Sequence, residues 1–342
     1  MNETPLQLGY TMPPEWEKHS AVWMAWPYLM ESFEGHLEKV EKTYVNFISA
    51  LHKYETIKLL VTGEDMELRV RMILGSAGID MTQVVFYQVD YADVWLRDFG
   101  PVFVKKESEL AWVKLKYDAY GNKFEALLKD DKVFHTLKNE VRYQMFDADF
   151  VMEGGAFDVN GKGSLLTTKQ CLLENRNKNK TQEDSENILK EMLGVKNIIW
   201  LNQGLTNDHT DGHIDEVARF VSPTKILCAY EENEQDENYQ ILKENFEILE
   251  NAVGQDGNKF EVVKLPMPHM LYEDGVKAPV SYANFYIGNK VVIMSTFADV
   301  NDPKAMKIIQ DCFPDRDVVG IDCRDLIYGG GALHCITQQE PK

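Results

Sequence analysis

Apolar residues recur at spacings of three and four between charged ones in six stretches: 37–53, 64–75, 123–139, 183–193, 236–252 and 303–312. That period predicts amphipathic helices. Between them run short segments rich in β-branched and aromatic residues, which predict strands at 21–26, 57–62, 84–89, 101–106, 111–117, 217–221, 225–230 and 260–265. Two further pairs are expected near the end, 282–287 with 290–296 and 318–322 with 333–338.

Four of these segments share one layout: a polar or small-residue lead-in, a strand, a short turn and a second strand. They read GPVFVKKESELAWVKLKY, GGAFDVNGKGSLLTTK, EVARFVSPTKILCAY and YANFYIGNKVVIMSTF. The second holds an Asn160-Gly161 hairpin signal. The lead-ins fall near Asp98, Glu153, His213 and Asn284, about 50 to 70 residues apart, and the segment around Cys335 follows after about 50 more. Such a period predicts an α/β chain of about five pseudo-symmetric modules around a centre, within one catalytic domain spanning 1–342. A plain α/β sandwich is the competing architecture.

At 342 residues, 44% hydrophobic and 27% charged, the chain can bury a sizeable core. The N-terminus shows no basic stretch followed by an apolar core, so no signal peptide is expected, and no apolar run reaches the length of a membrane span. The five cysteines, Cys171, Cys228, Cys312, Cys323 and Cys335, have neither disulfide-framework nor zinc-site spacing. A cytoplasmic location is the expectation. The formal charge of −19 argues against nucleic acid as a partner and favours cationic ligands. Homo-oligomer formation is left open.

Charge then directs attention to the lead-ins. Arg97 and Asp98 precede a Gly-Pro corner. Glu153 sits within an apolar run, where a carboxylate needs a partner or a cationic ligand. In DHTDGHIDEVARF, an extended backbone would put His209, Asp211, His213 and Asp215 on one face. That set suits a metal, or it makes His213 a general base with Asp215 on the substrate. Cys335, behind Gly329–Gly331 in an expected apolar strand, is a candidate nucleophile assisted by such a histidine. The other cysteines read as small core or helix residues. Carboxylates around a Cys/His pair suit a planar guanidinium, whose N–H donors they match in bidentate fashion.

On these residues the chain resembles the agmatine deiminases, grouped with the bacterial-type peptidyl-arginine deiminases among the guanidine-modifying enzymes. The resemblance runs nearly end to end. It includes PPEWEKHSAVWMAWP, WLRDFGPVFV, YDAYGNKF, EGGAFDVNGKGSLLTTKQCLLENRN, TDGHIDEVARFV, SYANFYI and GGGALHCITQQ. It implies a five-bladed α/β propeller with a central site and no metal or other cofactor. By motif, it assigns the nucleophile to Cys335 and the H-x-D pair to His213 and Asp215. It assigns the other substrate carboxylates to Asp98 and Glu153, a channel-lining aromatic to Trp95 and a site-wall residue to Asn284. The implied reaction is agmatine plus water giving N-carbamoylputrescine and ammonia. Peptidyl-arginine or another guanidino compound is the alternative substrate.

The chain departs from the family pattern at Phe99 (usually Ser or Thr), Tyr120 (Trp), Glu216 (Asn) and Ala332-Leu333 (Asn-Ile). These positions flank the chemistry and bear on the substrate's tail. Two other readings compete. One is a dinuclear metal ureohydrolase built on His209, Asp211, His213 and Asp215, and the other is a guanidine-binding protein without turnover.

Overall fold

The computed structural model describes residues 3–342. Among them, sixteen strands form five small sheets. The first sheet contains β1 (His19–Ala25), β2 (Thr56–Val61) and β3 (Val84–Gln88). Three sheets of one design follow: β4 (Val102–Lys106), β5 (Glu109–Lys116) and β6 (Gln144–Val151); β7 (Phe157–Val159), β8 (Ser164–Thr168) and β9 (Asn197–Leu201); β10 (Ala218–Ser222), β11 (Lys225–Tyr230) and β12 (Glu261–Pro266). A fourth copy holds β13 (Tyr286–Ile287), β14 (Val291–Thr296) and β15 (Asp317–Asp322). In each copy the first two strands pair antiparallel and the third joins parallel. The parallel step needs a long crossover, and a helix supplies it. This is a five-bladed α/β propeller, the architecture that the family resemblance implies, and its blades are the modules that the repeat predicts.

The chain's last strand, β16 (Gln338–Pro341), completes the first sheet by pairing antiparallel with β1, Trp23 opposite Gln338. That sheet therefore has the same antiparallel-then-parallel design with β3 added. Side chains reinforce the closure: Trp23 Nε1 and Lys58 Nζ donate to Glu340 Oε2 at 2.8 and 2.6 Å.

The crossover helices form where the apolar period predicted them. In Leu37–Leu51 the buried residues Val40, Tyr44, Phe47, Ile48 and Leu51 lie on one stripe. Glu41 falls on that stripe as well and is satisfied by a bidentate contact from Arg69 and by Trp26 Nε1. Gln182–Leu193 begins at a Thr181/Asp184 capping box and ends at Gly194 in the left-handed region.

Three local expectations need correction. The helix expected at 123–139 is a 3-10 segment, Glu125–Lys132, followed by an α-helix, Val133–Val141. Of the strand expected at 282–287 only Tyr286–Ile287 forms, because the Arg219 guanidinium takes the carbonyls of Ala283 and Phe285. The strand expected at 333–338 starts at Gln338 and pairs with β1. Its expected partner, 318–322, pairs with β14 instead. Leu333–Ile336 is a turn, held by Thr337 Oγ1 donating to the carbonyls of Leu333 and His334. Cys335 thus sits in a turn before a strand, the position that Asp98, Glu153, His213 and Asn284 occupy before theirs.

Candidate active site

Each blade's first strand is preceded by a short turn, and these turns meet at the centre. Asp98 lies in Leu96–Phe99 and Glu153 caps Gly154–Ala156. His213 caps Ile214–Glu216, which itself carries Asp215. A turn, unlike a strand, can direct a side chain along the propeller axis. The turns are bound to one another: Arg97 N–H donates to the Cys335 carbonyl at 3.0 Å and Gly155 N–H to Asp98 Oδ1 at 3.1 Å. The His334 N–H donates to Asn284 Oδ1 at 2.9 Å.

All five residues assigned to chemistry converge. Cys335 Sγ accepts from Asn284 Nδ2 at 3.2 Å and lies 4.0 Å from Asp215 Oδ2. The His213 ring lies between two carboxylates, Nδ1 3.7 Å from Asp98 and Nε2 3.6 Å from Glu153. Both ring nitrogens, Glu153 Oε2 and Asp215 Oδ1 are buried and make no hydrogen bond within the protein. Gly155 makes this crowding feasible, since a Cβ there would meet His213 Nδ1, Asp98 Oδ1 and Asp215 Oδ2 at 2.6, 2.9 and 3.0 Å. At Gly331 a Cβ would stand 2.7 Å from Trp95 Cζ3 and 3.2 Å from Cys335 Sγ, so the glycine run does bring backbone against the thiol.

The charges are tuned individually. Burial, aided by Asp215 and Glu153 and opposed by His213, pushes the Asp98 carboxyl up to about 6. Burial works against the Glu153 charge too, but Arg176 and His213 outweigh it and hold that carboxyl down to about 2. Asp215 is also lowered against burial, mainly by His334. Burial disfavours a charged His213, yet Asp98, Cys171 and Glu153 raise it well above the usual imidazole range. Burial and the carboxylates of Asp215, Glu216 and Asp98 push the Cys335 thiol well above its usual value.

A second layer holds these groups, and the motifs only partly announced it. Arg176 Nε donates to Glu153 Oε1 at 2.7 Å, while its other nitrogens hold Asp211 Oδ2 and the Thr210 carbonyl. It reaches them from a π-helical turn, Gln170–Arg176. The same turn brings Cys171 beside His213 and Glu153, their ligand atoms within 4.8 Å of one another, so this thiol is more than core filler. His334 bridges Asp215 Oδ2 and Glu15 Oε2 at 2.7 and 2.8 Å, and Arg219 holds Glu15 from behind at 2.5 Å. Tyr120 donates to Asp98 Oδ2 at 2.8 Å from a stretch in which Ala119, Tyr120 and Asn122 all have positive φ. Such strain, of order 1–3 kcal/mol per residue, persists where the surroundings over-determine it. Glu15, flanked by Pro and Trp in sequence, carries the same signal as Glu153, an acid in apolar company.

The His209/Asp211/His213/Asp215 set does not assemble as expected. Residues 208–213 form turns, with Asp211 and Gly212 at positive φ, so no strand aligns the four on one face. Lys123 and Arg176 occupy the Asp211 carboxylate, and His209 stands beside Gly330.

A cavity of about 480 Å³ leads from the surface to Cys335. Trp95, Asp98, Tyr120 and Phe124 line it, with Glu31 and Asp93 among its other walls. No lysine or arginine lines it among the described residues.

Comparison with known proteins agrees with this geometry. A proposed agmatine deiminase from Legionella pneumophila (strain Paris) is 38% identical over 100% of this chain and 98% of its own. The solved structure described as the agmatine deiminase of Enterococcus faecalis catalysing its reaction superposes with a TM-score of 0.91 at 30% identity, covering 100% of this chain and 98% of that one. A cysteine-to-serine variant of the C. jejuni agmatine deiminase with substrate bound superposes at 0.88 and 30% identity, covering 97% and 96%. The family model for Porphyromonas-type peptidyl-arginine deiminases matches residues 11–341, and the chain belongs to that family.

Proposed function

We propose that the protein is a cytoplasmic agmatine deiminase that hydrolyses agmatine to N-carbamoylputrescine and ammonia, a step towards putrescine, with Cys335 as nucleophile. One observation carries the reading. Glu153 and Asp215 each hold a buried carboxylate oxygen without a hydrogen-bond partner, Asp215 lies beside the Cys335 thiol, and that thiol lies on a cavity lined by no lysine or arginine among the described residues. A guanidinium supplies the N–H donors such oxygens accept.

Asp98, Glu153 and Asp215 hold the guanidinium and keep its carbon electrophilic. The Cys335 thiolate attacks that carbon and forms an S–C bond. The C–N bond to one terminal nitrogen breaks as His213, charged between Asp98 and Glu153, gives that nitrogen its proton, and ammonia leaves. The now neutral His213 takes a proton from water, whose oxygen adds to the carbon of the amidino-thioether. Collapse to the urea product expels the thiolate and releases the hydroxyl proton to solvent. Trp95 and Tyr120 wall the path to the thiol, and Asn284 donates to Sγ.

The tail preference follows from the cavity. Agmatine ends in an ammonium, and the acidic residues Glu31 and Asp93 are part of the cavity lining. Arginine adds an α-carboxylate, for which no lysine or arginine of the lining forms a receptor. The test is ammonia release from agmatine, free arginine and a C-terminal arginyl peptide at one ionic strength, with and without exhaustive chelation. Agmatine is expected to give the highest kcat/KM, chelation to leave the rate unchanged, and Cys335→Ser to abolish it. A higher efficiency on arginine or the peptide overturns the substrate; urea in place of ammonia, or loss of activity restored by manganese, overturns the chemistry.

A further inference from the structure

Glu216 follows the His213/Asp215 pair and has no part in the mechanism above. It is buried, its Oε1 lies 3.9 Å from Cys335 Sγ, and its Oε2 makes no hydrogen bond within the protein. We propose that Glu216 is a further catalytic residue: a neutral carboxylic acid whose O–H donates to Cys335 Sγ and, with Asn284, stabilises the thiolate as it attacks and again as it leaves. This rests on the reading of Cys335 as nucleophile.

The argument starts from crowding. Asp215, Glu216 and Cys335 bring their acidic atoms within 4.8 Å of one another, and three such groups cannot all be anionic in a buried site. The donors around them are unequal. Asp215 Oδ2 faces His334 Nδ1 at 2.7 Å and Asn284 Nδ2 at 3.2 Å, so the negative charge belongs there. Sγ accepts from Asn284 Nδ2 at 3.2 Å. Glu216 Oε2 makes no hydrogen bond within the protein, and Oε1 has only the Cys335 thiol within reach, at 3.9 Å, so no N–H or cation compensates a charge there and the carboxyl keeps a proton. The surrounding charges agree: burial, Asp215 and Asp208 hold Glu216 well above the usual carboxyl range, and His213 opposes them.

The proton ledger closes. When a guanidinium cation enters, the site gains one more negative charge. Sulfur is the acid that ionises, because it faces the cation, bonds the guanidinium carbon and has Asn284 Nδ2 beside it, and its proton passes to water in the cavity that Cys335 lines. Glu216 keeps its own proton and turns it toward the thiolate. As sulfur commits an electron pair to the S–C bond this hydrogen bond weakens, and it reforms when the thiolate is expelled. His213 remains the proton donor to ammonia.

Iodoacetamide alkylation of Cys335 in the substrate-free protein, followed by the mass of its peptide across pH, tests this directly. It needs no turnover, so it can fail while agmatine hydrolysis stands, and the reverse. Glu216→Ala removes a donor to the thiolate and should raise the alkylation midpoint by about one to two pH units. Glu216→Gln keeps an N–H donor and should leave the midpoint near that of the wild type. If the alanine variant does not fold, Glu216→Met, close in volume and without a donor, takes its place. A midpoint that falls in the glutamine and alanine variants would mean that Glu216 is an anion repelling the thiolate, and an unchanged midpoint in the donor-free variant would mean that it makes no contact of consequence; either overturns the proposal.

Discussion

Gly155 lies so close to the His213 ring that a Cβ added to it would stand 2.6 Å from Nδ1. The same atom would lie 2.9 Å from Asp98 and 3.0 Å from Asp215. The E-G-G motif therefore provides an acid and, two residues on, the space in which three groups from two other turns approach. Gly155→Ala should fold, since the obstructing atoms belong to the site, but should lower kcat/KM by about a hundredfold or more through displacement of His213. Far-UV circular dichroism and steady-state kinetics check this together; near-normal kinetics in a folded variant would show that the ring's position is not critical.

Arg176 should matter for both stability and catalysis. Its side chain is fully buried against Glu153, and removing one partner of a buried pair typically destabilises by about 3–5 kcal/mol. Arg176→Gln should therefore lower the denaturant midpoint. It should also move the acid limb of the kcat/KM profile to higher pH, because Arg176 is the main group that holds the Glu153 carboxyl down to about 2. Arg176→Lys should not rescue, as one ammonium cannot hold Glu153, Asp211 and the Thr210 carbonyl in a planar fork.

Asp98 gives a stability effect of opposite sign to its catalytic one. Its carboxyl titrates at about 6 in the folded protein, above its ordinary value, because burial and neighbouring carboxylates disfavour the charge. Between those two values the folded state binds more protons than the unfolded state, so stability falls as pH rises through this window and the deficit is constant above it. Asp98→Asn removes the titration. Its melting temperature relative to wild type should rise between about pH 4 and pH 6, by an equivalent of about 2–3 kcal/mol, while activity drops at least tenfold. A relative stability flat across that range would show that Asp98 is not held above its normal value.

The fold was legible because its unit is local. A strand, a tight turn and a second strand with a polar lead-in are all written within about 20 residues, and repetition of that unit made a centre the natural inference. Side-chain periodicity located the crossover helices for the same reason, since every helix must bury one stripe against its own blade. Where local pattern failed, a distant group had intervened. Arg219 captures the carbonyls of Ala283 and Phe285 and shortens β13 to two residues. Leu333–Ile336 has strand-like apolar residues but turns, which lets β16 reach β1 at the opposite end of the chain.

By itself the sequence determined the blade unit, its number, and the residue types offered at each lead-in: Asp98, Glu153, His213, Asn284 and Cys335. It could not determine which groups support them, because that depends on distances through space between turns that lie far apart in the chain. Arg176 pairs with Glu153, Cys171 stands beside His213, and His334 joins Asp215 to Glu15, which lies 319 residues before the histidine. Tertiary structure alone also set the protonation states. The same kind of carboxyl group is lowered at Glu153 by a buried guanidinium, raised to about 6 at Asp98 by burial among acids, and raised well above its usual range at Glu216 by burial and the Asp215 carboxylate. An ionisable side chain takes its charge from the desolvation and the partners around it, and those exist only once the five turns have met.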